Sequence, residues 1–187
     1  MAGGMERVAT ILSVDAQYET KQSWMKYVPD VFLTVQVRHD WEDQITIFGS
    51  FKKELSPDDR KSWGSAFKIA EFFECALNKK NLPVQADYSI PDEWLRDCIG
   101  REIMMCSYPT TKLKDSGKPY WNNFDRVASA GAPSGTLKKI VMDSVNKGYL
   151  KNYNASNEDN DGVDFEFGNN VKQEKSKPNV QLEGIEL

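Results

Sequence analysis

A mainly β chain, closed into a small barrel with one helix inserted between its third and fourth strands, is predicted by three features of this sequence. Residues 31–51 alternate apolar and polar side chains with a period of two. The period then changes to that of an amphipathic helix. After it comes a second hairpin, with a loop carrying three lysines and a glycine and a return strand that opens on aromatics. Periods of two and of about 3.6 separate strands from helices because they place side chains on alternate sheet faces or on one helical stripe.

The first strand is "RVATILSVDAQY" (Arg7–Tyr18), rich in β-branched residues and followed by the polar stretch "ETKQSWMKYVPD". In "VFLTVQVRHDWEDQITIFGSF", Val31, Leu33, Val35 and Val37 share one face, with Phe32, Thr34, Gln36 and Arg38 on the other. Past the turn around His39–Asp43, Ile45, Ile47 and Phe51 share a phase opposed by Gln44, Thr46, Phe48 and Ser50. These two runs make a hairpin with one apolar face. Trp63, Ala66, Phe67, Ala70, Phe73 and Leu77 then form one helical stripe. Ser56 before Pro57, with two aspartates following, signals its start, and Asn78 with two lysines its end. "NLPVQADYSIPDEW" reads as a connector. The last hairpin pairs Arg101–Tyr108 with Tyr120–Val127, "SAGAPSG" breaks the chain, and "TLKKIVMDSVNKGYL" is a short second helix.

Strand, strand, strand, helix, strand, strand is the order of the OB-fold, a five-stranded Greek-key barrel. The reading therefore divides the chain into an OB-fold domain over residues 1–130, a short C-terminal helix over 131–150, and an acidic, largely disordered tail over 151–187 rich in Asn, Asp, Glu and Gly.

Charge supports the same division. The chain carries −4 overall, but unevenly. Residues 1–100 hold 12 Lys and Arg against 16 Asp and Glu, residues 101–152 hold 9 against 4, and residues 153–187 hold 3 against 8. A basic second half beside an acidic end points to a polyanion partner and a separate tail. Three cysteines without framework spacing fit a reducing compartment. The opening "MAGGMERVAT" lacks the apolar core of a signal peptide, and no apolar run approaches a membrane span of about 20 residues. The expectation is a soluble, cytoplasmic protein without membrane attachment, and one free to form a homo-oligomer.

An OB-fold normally binds through its second and third strands and its first–second and fourth–fifth loops. On that surface fall Phe32, Arg38 and Phe48, with Trp41 in the turn; Lys21, Trp24, Lys26 and Tyr27 on the first loop; and Lys112, Lys114, Lys118 and Tyr120 on the last hairpin. Flat rings that stack bases, interleaved with cations for phosphates, are what sequence-tolerant single-strand binding requires. Phe32 and Phe48 serve equally well as cross-strand packing, and the lysines as a solvated hairpin tip. In the tail, Phe165, Phe167, Ile185 and Leu187 punctuate the acidic run as docking residues for a partner's groove or basic pocket would.

Catalytic readings find little. His39 is the single histidine and lies in a charged turn. No Cys/His pair has zinc spacing, "GAPSGTLKK" lacks the Gly-Lys-Ser/Thr step of a phosphate loop, and "DGVDFEF" lacks the last glutamate of a calcium loop. The carboxylates of "SPDDR" suit a helix N-terminus. Neither enzyme activity, metal nor cofactor is expected.

"GSFKKELSPDDRKSWGSAFKIAEFFECAL" followed by "IGREIMMCSYPTTKLKDSGKPYWNNFDRV" resembles the small single-stranded-DNA-binding proteins of tailed phages, over roughly Arg7–Val127. The resemblance implies sequence-tolerant binding of single strands in replication or recombination, a host-cell cytoplasmic location, and an acidic tail that recruits replication or recombination proteins. The other reading is an OB-type adaptor whose aromatic face binds a partner polypeptide and no nucleic acid.

Overall fold

The computed structural model describes residues 4–20, 22–25, 28–50, 67–80 and 89–155. Its elements are β1 (Met5–Tyr18), β2 (Val31–Arg38), β3 (Glu42–Gly49), α1 (Phe67–Leu77), α2 (Asp92–Asp97), β4 (Glu102–Leu113), β5 (Pro119–Asn123), β6 (Ala128–Ser129) and α3 (Thr136–Asn146). The strands run in the order β3-β2-β1-β4-β5, with β6 added on β4. All of these ladders are antiparallel. β1 makes the curvature. Its first part pairs with β4 (Met5↔Ser107 to Thr10↔Glu102), and its second with β2 (Thr10↔Arg38 to Tyr18↔Val31). A register shift between Ile11 and Ser13 marks the change of partner. An extra residue in one strand bends it and increases its twist, which lets one strand serve both halves of a curved sheet. The result is the nearly closed OB-like barrel that the element order predicts.

The inward phase of the first hairpin is as expected: Val31, Leu33, Val35, Val37, Ile45 and Ile47 are fully buried. Phe51, in the same phase, lies outside the described residues. α1 packs over this core through Ile69, Phe72, Phe73 and Ala76. Phe73 belongs to the predicted stripe, but the stripe as a whole is turned. Phe67, placed inside it, is 47% exposed and lies under the Arg126 guanidinium at 5.0 Å, while Ala70 and Leu77 are half-buried. Trp63, Ala66 and the predicted start at Ser56 and Pro57 fall outside the described residues. The helix ends where expected, on Asn78 at φ 55, whose N–H donates to the Glu74 carbonyl. Asparagine tolerates this left-handed conformation better than other side-chain-bearing residues.

The last hairpin is longer and shifted. β4 continues to Leu113, so Lys112 lies in a strand, and β5 stops at Asn123 with Phe124 donating its N–H to the Cys106 carbonyl. β4 is buried from Ile103 to Thr110 because both faces are covered. Ile103 and Met105 point into the barrel. Met104, Cys106 and Tyr108 pack with Phe124, Leu137 and Val141 in a second apolar cluster beneath α3. The helix predicted over 131–150 therefore builds on the barrel wall. Lys151–Ala155 is likewise not tail: Tyr153 bridges Thr110, and the Asn154 N–H donates to the Pro109 carbonyl. Burial pushes the Cys98 and Cys106 thiols up to about 12, so both act as protonated packing groups. Among the described residues no helix is long and apolar enough to cross a membrane.

α3 begins on Gly135 at φ 92, with no side-chain cap of its own and no acidic residue in its first turn. Glu6 of β1 substitutes for both. Its carboxylate accepts from the backbone N–H groups of Gly135, Leu137 and Lys138 at 2.5, 2.6 and 2.9 Å. A carboxylate here satisfies orphan donors and meets the positive end of the helix dipole. Glu6→Ala should lower unfolding free energy by about 1–2 kcal/mol, read as the urea midpoint. An unchanged midpoint would mean that α3 holds its place by packing alone.

Candidate nucleic-acid interface

The barrel stops short of full closure between β3 and β5, and the site is built on that seam. One end is fastened by a side chain. The Asn123 amide donates to Asp43 Oδ1 at 2.7 Å and to the Gln44 carbonyl at 2.9 Å, while its Oδ1 accepts from Ser107 Oγ at 2.7 Å. Asp43 Oδ1 also accepts the Gln44 N–H at 2.8 Å. Ser107 is fully buried and Asp43 nearly so, which makes these low-dielectric polar contacts costly to leave unmade.

Beyond this fastening the seam widens into a groove of about 410 Å³, within the range of roughly 300–1,000 Å³ usual for ligand clefts. Its walls are aromatic: Trp24 and Phe48 on one side, Trp121 on the other, with Asn122 and Asp125 along the β5 end. Trp24, on the β1–β2 loop, is 63% exposed. Its ring meets Phe48 edge-on at 5.7 Å and Phe32 at 6.5 Å, and those two rings stack across β2 and β3 at 6.3 Å and 13°. Phe32↔Phe48 is a directly opposed pair, so register alone brings them together. Phe32 is only 6% exposed and thus supports the other two rings, while Phe48 is half-buried and Trp24 exposed. Lys68 of α1 reaches Phe48 at 5.8 Å and pairs with Asp125.

The remaining sequence candidates divide. Lys112 and Lys114 hold their ammonium groups 4.9 and 5.8 Å from the Tyr120 ring. The three cluster on one hairpin, whose turn carries Lys118 and closes on Gly117 at φ 78. The groove wall is the next residue, Trp121, rather than Tyr120. Strict alternation along β5 is the signal that separates these neighbours. Arg38 pairs with Glu42 at 2.5 Å, at the opposite end of the β2–β3 hairpin from Phe32 and Phe48. Trp41 lies nearby, under the Arg7 guanidinium at 4.9 Å and against His39 at 4.5 Å. Neither lines the groove. Lys21, Lys26, Tyr27, Phe165, Phe167, Ile185 and Leu187 lie outside the described residues. Among the described residues no group of His, Cys, Asp and Glu could hold a metal ion.

His39 supports the seam from behind, with its side chain 3% exposed and Nε2 3.6 Å from Asp43 Oδ2. Burial lowers its pKa from the ordinary 6.5, and the Arg7 charge lowers it further, against opposing pulls from Asp43 and Asp40. In the unfolded chain the imidazole takes up a proton more readily than in the fold. Its contribution is therefore present above the ordinary value and is lost as pH falls through the lowered folded value. The thermal midpoint should fall on acidification below about 6.5, and His39→Gln should reduce that slope. Equal slopes in both proteins would remove His39 as the source.

The chain matches no family model, no curated protein sequence and no solved structure. What the groove can hold is read from its own side chains.

Proposed function

We propose that this protein binds single-stranded DNA, without catalysis, by stacking bases on the Trp24–Phe48 and Trp121 walls of the seam while the β4–β5 hairpin lysines meet phosphates. The observation that carries this reading is Trp24. A tryptophan 63% exposed yet propped against two further rings is a preset stacking surface at the mouth of an open groove. The Phe32 and Phe48 rings it leans on are fixed by cross-strand packing, which limits the side-chain entropy lost on binding. The hairpin cations follow in the same strands: Lys112 is the last residue but one of β4, and Tyr120 precedes Trp121. Tyr120 alternates with Trp121 along β5, so these ammonium groups meet a backbone that leaves the groove and passes around the hairpin edge. The resemblance to phage single-strand binders supports a role in replication or recombination, with residues 156–187 recruiting a partner protein.

Trp24→Ala and Trp121→Ala should each weaken binding of a mixed-sequence single strand by ~1–3 kcal/mol, measured by fluorescence anisotropy. Unchanged affinity in a folded variant would move the site elsewhere. Lys112→Gln, Lys114→Gln and Lys118→Gln together should flatten the dependence of log affinity on log salt, by roughly 0.7 for each phosphate no longer neutralised.

A second reading has one observation in its favour. The groove lining is aromatic and acidic, which suits a partner polypeptide. Affinity for such a partner, with no binding of single strands even at low salt, is the result that would select it.

A further inference from the structure

The groove is sided in charge. Its lining includes Asp43 and Asp125 but no lysine or arginine among the described residues, whereas Lys112 and Lys114 stand on the hairpin. Lys68 balances Asp125 from the α1 side and Asp43 is left as a carboxylate in a partly desolvated cleft, so the groove offers a phosphate no net positive charge and favours bases pointing in with phosphates out. Among the polar groups of the lining, Gln44, Thr46 and Asn122 carry donors and acceptors alike. Asn123 commits both its amide N–H bonds and its oxygen to the seam, and Asp43 Oδ1 is taken by Asn123 and Gln44. Asp125 is different. Its side chain is 28% exposed and pairs with Lys68 through Oδ2. A carboxylate offers about four acceptor sites and no donor, so one ammonium leaves it able to accept from a ligand.

Resting on the single-strand reading above, we infer that Asp125 makes the groove selective for bases bearing an exocyclic amine, with thymine disfavoured. Cytosine, adenine and guanine each present an amino group, and acceptance from cytosine N4 by an acidic side chain is an established pairing. Thymine has one ring N–H, flanked by two carbonyl oxygens that would face the carboxylate. Trp24, Phe48 and Trp121 stack any base, so stacking supplies affinity and Asp125 supplies the preference.

The test compares full-length protein on three oligomers of equal length at one salt concentration: deoxycytidine, its analogue with the 4-amino group replaced by hydrogen, and thymidine. The first two differ only in the amine. The deoxycytidine oligomer should bind roughly tenfold more tightly than the other two, as one charge-assisted hydrogen bond per seated base implies. Asp125→Asn, which exchanges an acceptor for a donor, should close most of that gap while single-strand binding persists. Tight but equal binding of all three oligomers would overturn the amine preference and leave the single-strand reading standing. A full gap in a folded Asp125→Asn protein would overturn the assignment to Asp125. No binding of any oligomer at low salt would remove both readings.

Discussion

The Asn123 amide ties the two free edges of this sheet together. Asn123 ends β5, and from there it donates to Asp43 and Gln44 of β3 and accepts from Ser107 of β4. Without it, β3 and β5 would be the open edges of a curved sheet. With it, they form a barrel that is fastened at one end and parted at the other. The parted end is the groove. Full backbone pairing along the seam would leave no opening between Phe48 and Trp121, and no pairing at all would leave their spacing undefined. The geometry of the site is thus a by-product of incomplete closure.

Polar groups from several segments gather around the fastening. Arg7, His39, Asp43 and Ser107 come from three strands and a turn, and they meet where the dielectric is low. The cluster is only partly satisfied: Asp43 Oδ1 and Ser107 are bound to Asn123, while among the described residues both His39 nitrogens and Asp43 Oδ2 are buried without a hydrogen bond, and a buried polar group left unpaired is costly. Apolar packing could accept several positions of β5 against β3; the Asn123 bonds to Asp43, Gln44 and Ser107 favour one.

Much of this is legible in the sequence, and the failures have physical causes. Alternation over residues 31–48 is unambiguous because one face is fully buried, and Val31, Leu33, Val35, Val37, Ile45 and Ile47 all lie inside. Asn78 stops its helix as its chemistry suggests. The α1 stripe is misplaced by periodicity because Phe67, the large residue that anchors it, is shielded by Arg126 rather than by the core. The second apolar cluster escapes such a reading because β4 is covered on both faces, so its run of buried residues carries no alternation to read. At the site, Trp24 and Phe48 can be named from composition, yet Trp121 cannot be preferred over Tyr120 until register fixes which of them faces the seam. Arg38 and Trp41 share a hairpin with Phe48 but sit at its far end, a separation that sequence proximity conceals.

The two-partner role of β1 has a temporal side. Its first residues pair with β4 across about a hundred positions of chain, Met5 against Ser107. During synthesis, β1, β2 and β3 can meet as soon as they leave the ribosome, but the first half of β1 then waits with an unpaired edge until β4 is made. Folds dominated by such distant pairings form slowly, since the chain must give up the entropy of a long loop before the strands can meet. In the interval the exposed strand edge is a template for association with another chain. Glu6 and Arg7, charged residues adjacent along that waiting segment, give it a polar character that opposes such association until the barrel can close.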